Sequence, residues 1–217
     1  MTTQLIEALQ TSTPTTFSML HLRDPDSAGH ASGFMSPEYL AAVQAADTQL
    51  GRLLDAIAAD SYLAQSTVVV LTSDHGGMAA TQTHGNPTQP ENYTIPFLVW
   101  GFEIASGADL YALNLDDRTD PLVIRPAYDD LVPQPVRNAE AGNLATDLLG
   151  LPAVPSSRIG AGQDLDVSER HDAVHRPGAG PRPAVCPGKR AGAGCEAGRG
   201  DLDRGAPARR PQPRDAA

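Results

Sequence analysis

The first 167 residues of this 217-residue chain contain no cysteine and no lysine. Both cysteines, Cys186 and Cys195, and the single lysine, Lys189, lie in the tail that follows, so they leave the redox compartment undefined. The same 167 residues carry 6 arginines against 20 acidic residues. This excess of negative charge argues against a nucleic-acid-binding or anionic-membrane-binding surface, because such partners require patches of Lys and Arg.

Long apolar runs are also missing. No window approaches the roughly 18 consecutive apolar residues of a membrane-spanning helix, so no span is expected. No basic segment followed by an apolar one begins at Met1, so the chain shows no secretory signal.

The composition changes near residue 168. Residues 1–167 are long enough for one domain with a sizeable core. Residues 168–217 are mostly Gly, Ala, Pro and Arg, and we predict that they form a disordered tail because they offer too few apolar side chains for a core. His171 and His175 lie in this tail and are not assigned to a site.

The hydrophobic pattern of the first 167 residues predicts alternating helices and strands. The clearest element is a helix over residues 37–59, with Ser36 as its cap, Pro37 at its first position and an apolar stripe at three- and four-residue spacing. We predict strands over residues 16–22, 66–72 and 93–101, a short helix over residues 3–10, a surface excursion over residues 102–137 and a last helix over residues 138–152. The expected fold is α/β, with a mostly parallel sheet and flanking helices.

Strand 16–22, helix 37–59 and strand 66–72 together predict a βαβ unit. Its two strands would be parallel, with both carboxyl ends at one edge of the sheet, where open α/β folds bind ligands. The residues after the first strand are "RDPDSAGHASG" and those after the second are "SDHGG". This topology brings Asp24, Asp26 and His30 towards Asp74 and His75.

Each of these clusters also has a simpler interpretation. Asp-Pro-Asp-Ser is a favourable turn sequence, and "THGNP" around His84 is compatible with an exposed loop without a role. His21 lies within the first predicted strand and is interpreted as a core or supporting residue. Together, however, the clusters place two Asp/His pairs at one edge, and these are ligands that zinc accepts. Two such ions can hold the attacking and leaving oxygens of a displacement at phosphorus.

The segments "DPDSAGHASG", "YLAAVQAADTQLGRLLDAI", "VVVLTSDHGG" and "HGN...YTIPFLVWG" resemble the type I phosphodiesterase/nucleotide pyrophosphatase group of the alkaline phosphatase superfamily. The resemblance covers about residues 15–167 and implies a phosphoric ester hydrolase that uses two divalent ions, usually zinc. It implies that Asp26 and His30 bind one ion, with His84 as a third ligand, and that Asp74 and His75 bind the other. It also suggests an extracytoplasmic or secreted enzyme with a phosphate ester as its substrate.

One part of the family pattern is not found. Members of this group carry a further metal-binding Asp and a Thr or Ser nucleophile upstream of the Asp-x3-His segment, and nothing of that kind precedes residue 15. The catalytic nucleophile is therefore unknown, and we expect residues 1–167 to be the carboxy-terminal part of an incomplete enzyme domain. The alternatives are a catalytically inactive fragment that binds metal, or another member of the superfamily such as a sulfatase.

Overall fold

The computed structural model describes residues 1–121 and 133–168. The predicted disorder of the tail falls outside these residues, apart from Ser168, and so does part of the predicted excursion. Seven helices and two strands are formed within the described residues. The helices are α1 (Thr2–Leu9), α2 (Asp24–Ser32), α3 (Pro37–Ala59), α4 (Ser61–Ala64), α5 (Pro90–Tyr93), α6 (Leu110–Leu113) and α7 (Glu140–Leu148), and the strands are β1 (Val68–Thr72) and β2 (Phe97–Gly101).

The long helix α3 begins and ends where the sequence predicted. The Ser36 hydroxyl accepts a hydrogen bond from the Tyr39 amide at 3.2 Å, and Pro37 occupies the first turn, where its missing N–H costs nothing. Leu53 and Ile57, four residues apart, are buried on one face of the helix. Strand β1 and helix α7 lie within their predicted ranges, and the short helix α1 begins and ends one residue earlier than predicted. Strand β2 is confirmed only from Phe97 onward, because Pro90–Tyr93 form helix α5.

The predicted strand over residues 16–22 is wrong, and so is the βαβ unit built on it. These residues form no strand, and the sheet of the described residues has two strands that pair antiparallel, with Val70 opposite Val99. An alternating apolar pattern does not make a strand without a partner for its backbone hydrogen bonds. Leu20 packs against the α3 core, while Phe17 and Met19 are exposed. A parallel sheet is therefore not found among the described residues.

The two-stranded sheet lies between two apolar clusters. Alternate residues of β1 point to opposite faces, so that Val69 packs against Leu53, Ile57 and Leu63, whereas Val70 packs against a second cluster. That second cluster consists of Leu144 from α7 together with Leu165 and Val167. The described residues are thus an α/β arrangement with helices on both faces of the sheet. None of their helices has the length and apolarity needed to cross a bilayer.

A buried ionic group joins α7 to the residues on either side of it. The Arg118 Nη2 atom lies 2.8 Å from both Glu140 Oε2 and Asp164 Oδ1. Burial lowers the pKa of the Arg118 guanidinium, but the hydrogen bonds and charges of Asp164 and Glu140 outweigh this and raise it above its ordinary value. Arg118 therefore remains charged and holds the start of α7 in place.

Candidate metal centre

Asp26 and His30 lie on one face of helix α2. The sequence Asp24-Pro25-Asp26 begins this helix, with Pro25 in the first turn and two carboxylates near its positive end. The turn interpretation of this segment is therefore wrong. Residues four apart are neighbours on a helical surface, and the His30 Nε2 atom lies 3.3 Å from Asp26 Oδ1.

Asp74 and His75 lie just after strand β1, which ends at Thr72. The Ser73 hydroxyl donates a hydrogen bond to the His75 carbonyl at 2.6 Å, and the Asn138 side-chain amide donates to the carbonyls of Ser73 at 3.3 Å and Asp74 at 3.0 Å. The backbone that presents Asp74 and His75 is thus held from both sides. Asn138 lies just before α7 and was not recognised from the sequence, where a lone Asn gives no signal.

Three imidazoles surround one carboxylate oxygen. The Nε2 atoms of His30, His75 and His84 lie 3.3, 3.5 and 3.9 Å from Asp26 Oδ1. The rings of His75 and His84 are stacked, with centroids 3.4 Å apart and an interplanar angle of 10°. Among the described residues, Asp26, His75 and His84 form the group whose ligand atoms all lie within 4.8 Å of one another. His30 adds a fourth nitrogen next to the same carboxylate.

The contacts of Nδ1 define the tautomer that two of these imidazoles take in their neutral form. His30 Nδ1 lies 2.8 Å from the Gln82 carbonyl, and His75 Nδ1 lies 2.8 Å from the Gly76 carbonyl. A carbonyl only accepts hydrogen bonds, so Nδ1 is the protonated nitrogen and Nε2 of the neutral ring presents a lone pair. Such a bond on the far nitrogen is the usual support of a metal-ligating histidine.

The carboxylate oxygen that these lone pairs face is itself unsatisfied. Asp26 Oδ1 is buried, although the Asp26 side chain as a whole is 44% exposed, and it has no hydrogen-bond partner among the described residues. Its distances to the imidazoles exceed the roughly 2.7–2.9 Å of a charge-assisted hydrogen bond. The distances of His30 and His75, 3.3 and 3.5 Å, are close to the separation of about 3.3 Å between donor atoms that share a tetrahedral zinc at about 2.0–2.1 Å, whereas that of His84, 3.9 Å, is longer. The donor set therefore fits a divalent cation.

Asp74 lies at the margin of this group. Its side chain is 80% exposed, and its Oδ2 atom lies 3.6 Å from His75 Nε2. The His75 imidazole therefore stands between two carboxylates, that of Asp26 and that of Asp74. Asp24 opens helix α2 and belongs to no ligand group in the described part of the chain.

The Phe34 side chain forms an apolar support beneath the histidines. Its ring is 3% exposed and makes edge contacts with the rings of His30, His75 and His84, with centroids 6.0, 6.4 and 6.0 Å apart. A Cβ atom at Gly29 would lie 2.5 Å from this ring, and one at Gly77 would also overlap it. Gly29, next to His30, and Gly77, two residues after His75, thus make room for Phe34. The pattern of the sequence does not mark Phe34 as part of a site.

Comparison with known proteins identifies the class of this chain. Residues 1–169 match the family described as type I phosphodiesterase / nucleotide pyrophosphatase, and the chain belongs to that family. The resemblance inferred from its motifs is thereby confirmed.

Among curated proteins, it is similar to GPI ethanolamine phosphate transferase 1 of Aspergillus oryzae. The two are 29% identical over 141 residues, which cover 65% of this chain and 13% of that relative. The chain thus spans a small part of the length of the relative that it matches. No solved structure matches it.

Proposed function

We propose that this chain provides the divalent-cation site of a metal-dependent phosphoric ester hydrolase. The observation that carries the proposal is the buried Asp26 Oδ1 atom, which lacks a hydrogen-bond partner and faces three imidazole nitrogens. Membership of the phosphodiesterase family supports a phosphate ester as the substrate. Asp26, His75 and His84 would hold one ion, with His30 beside them.

Zinc suits this donor set best, because imidazole nitrogen and carboxylate oxygen are among its preferred ligands. When bound, the ion would supply Lewis acidity at a phosphoryl oxygen and lower the pKa of a coordinated water. The chain itself orients the ligands through the carbonyls of Gln82 and Gly76. One carboxylate and neutral imidazoles leave the ion a net positive charge, which favours a negatively charged phosphoryl group.

A second ion is proposed beside the first. Its ligands would be Asp74 and His75, as the family resemblance implies. The Asp74 carboxylate is exposed, so further ligands from outside the described residues could reach an ion bound there. His75 Nε2 serves one ion at a time, so filling both sites requires the imidazole to turn towards Asp74 and leave the first ion with Asp26, His30 and His84. Two ions would complete the clamp expected for displacement at phosphorus.

The proposal is tested by metal content and turnover in one preparation. The full chain carrying Cys186→Ser and Cys195→Ser, which removes thiolate ligands of the tail, is titrated with zinc and assayed with p-nitrophenyl phosphate and bis-p-nitrophenyl phosphate. We expect zinc binding that Asp26→Asn abolishes, and zinc-dependent release of p-nitrophenol. Zinc binding that is the same in Asp26→Asn would refute the proposed site.

An inert metal-binding chain is the second candidate. Two hydroxyls in the loop that follows β1 donate hydrogen bonds to the backbone: Ser73 to the His75 carbonyl at 2.6 Å and Thr81 to the Met78 carbonyl at 2.7 Å. No nucleophile is assigned among the described residues. Zinc binding without turnover of either ester favours this candidate, and turnover of p-nitrophenyl sulfate alone would favour a sulfatase. The extracytoplasmic location suggested by the resemblance is likewise a proposal, to be tested by fractionation.

A further inference from the structure

Asn92 lies on the short helix α5, between the two loops that carry His75 and His84. Its side chain is among the few buried polar groups of the described residues, at 7% exposure. The Asn92 Oδ1 atom accepts a hydrogen bond from the Met78 amide at 3.2 Å, and its Nδ2 atom donates one to the Asn86 carbonyl at 3.0 Å. One amide thus binds the backbone of both loops.

The backbone of Asn92 adds a third contact to the loop after His75. Its carbonyl accepts a hydrogen bond from the Gly76 amide at 2.9 Å. A side chain at Gly76 would overlap the Glu91 carbonyl, so the loop and helix α5 approach as closely as glycine permits. The carbonyl of the same Gly76 orients the His75 ring through Nδ1. Displacement of this loop therefore moves His75 directly.

The two halves of the Asn92 side chain act on different histidines. The Oδ1 contact is made to Met78, three residues after His75, and the Nδ2 contact is made to Asn86, two residues after His84. The stacked rings of His75 and His84 depend on the separation of these two loops. An unpaired buried amide is unfavourable, so the side chain favours the one loop arrangement that satisfies both of its ends.

We propose that Asn92 is a positioning residue that sets the separation of His75 and His84 and thereby the affinity of the site for a divalent cation. The inference rests on the proposed function, because it assigns Asn92 a role in holding the ligands of that ion. Groups that hydrogen-bond a metal ligand change metal affinity by about 10- to 100-fold when they are replaced, and Asn92 acts on such a group, the Gly76 carbonyl, through the loop that carries it.

The chain offers a matched control for a purely structural role. Asn143 on α7 is 2% exposed, and its side chain also binds backbone groups, accepting from the Val154 amide at 2.8 Å and donating to the Ile159 carbonyl at 2.7 Å. Residues 154–159 include none of the candidate ligands. Asn143→Ala therefore reproduces the loss of a buried amide without touching the loops of His75 and His84.

The experiment compares the zinc dissociation constants of Asn92→Ala, Asn92→Asp and Asn143→Ala in the full chain lacking the tail cysteines, by competition with a chromophoric chelator. We expect binding about 10- to 100-fold weaker in both Asn92 variants and unchanged in Asn143→Ala. Asn92→Asp keeps the acceptor for Met78 and loses the donor to Asn86. Its added negative charge favours cation binding, so any loss of affinity must come from geometry.

A double-mutant cycle identifies the histidine through which the residue acts. The effect of Asn92→Asp should vanish in a His84→Ala background, whereas Asn92→Ala should retain an effect through Met78. Binding that is unchanged or tighter in both Asn92 variants, or equally weakened in Asn143→Ala, would overturn the inference. If the Asn92 inference fails but Asp26→Asn abolishes zinc binding in the same experiment, the proposed function still stands. If Asp26→Asn binds zinc like the parent chain, the proposed function itself fails.

Discussion

Gly77 and Phe34 provide the sharpest test of how the histidines are supported. A Cβ atom at Gly77 would overlap the Cγ, Cδ1 and Cε1 atoms of the Phe34 ring. The Cγ atom lies at the base of the side chain, so rotation about the ring axis does not remove the overlap. We therefore expect Gly77→Ala to push a buried ring against the imidazoles of His30, His75 and His84.

The size of the effect follows from overpacking. Inserting a methyl group into a filled core costs about 1–3 kcal/mol, which corresponds to a decrease in Tm of roughly 2–12 °C for a chain of this length. Because the strain lies between a glycine and one side chain, truncating that side chain should relieve it. Phe34→Leu should therefore be less harmful in the Gly77→Ala background, with a coupling of about 0.5–3 kcal/mol.

The assay is thermal unfolding, with and without zinc, of the parent chain, Gly77→Ala, Phe34→Leu and the double variant. Gly76→Ala is the matched control, because its Cβ would meet the Glu91 backbone carbonyl, which no substitution of Phe34 relieves. We expect Phe34→Leu to rescue Gly77→Ala and not Gly76→Ala. If Gly77→Ala is as stable as the parent chain, or if Phe34→Leu rescues both glycine variants equally, the assigned contact is wrong.

Three further substitutions test other contacts of the described residues. Glu140→Gln removes a charged partner of the buried Arg118 and should lower the free energy of unfolding, measured by urea denaturation, by roughly 3 kcal/mol. A loss under about 0.5 kcal/mol, as at an ordinary surface site, would contradict the buried ion pair. Asn138→Ala frees the carbonyls of Ser73 and Asp74 and should weaken zinc binding about 10-fold, measured by chelator competition, with unchanged affinity as the contrary result. Burial raises the pKa of the Tyr111 hydroxyl above its ordinary value of 10.0. The neutral Tyr111 side chain therefore contributes to stability below pH 10, and this contribution is lost as the pH rises through the raised pKa. Tyr111→Phe should reduce the loss of stability at alkaline pH, measured by urea denaturation across this range, and a pH profile identical to that of the parent chain would refute the prediction.

The local elements were predictable because their causes are local. Ser36, Pro37 and the apolar stripe define α3 within the segment itself, and the β-branched run defines β1. The strand over residues 16–22 was not predictable in this way, since a strand depends on a partner that its own sequence does not name.

The proximity of Asp26 to His75 was predicted through a parallel βαβ unit that the described residues do not form. The structure brings these residues together by a different route, with helix α2 placing Asp26 and His30 beside the end of β1. The positions of Phe34 and Asn92 depend on contacts between segments distant in sequence, for which a single sequence carries no periodic signal. The ligand roles of Asp26, His30, Asp74, His75 and His84 remain predictions.

Asp26 and the histidines are proposed to hold a divalent cation. Zinc K-edge X-ray absorption of the full chain with one equivalent of zinc tests this most directly, because zinc–nitrogen distances of about 2.0–2.1 Å are resolved from zinc–sulfur distances of about 2.3 Å. We predict a shell of nitrogen and oxygen alone, with imidazole scattering that decreases in His84→Ala. A sulfur shell, contributed by Cys186 and Cys195, or a spectrum that Asp26→Asn leaves unchanged, would contradict it.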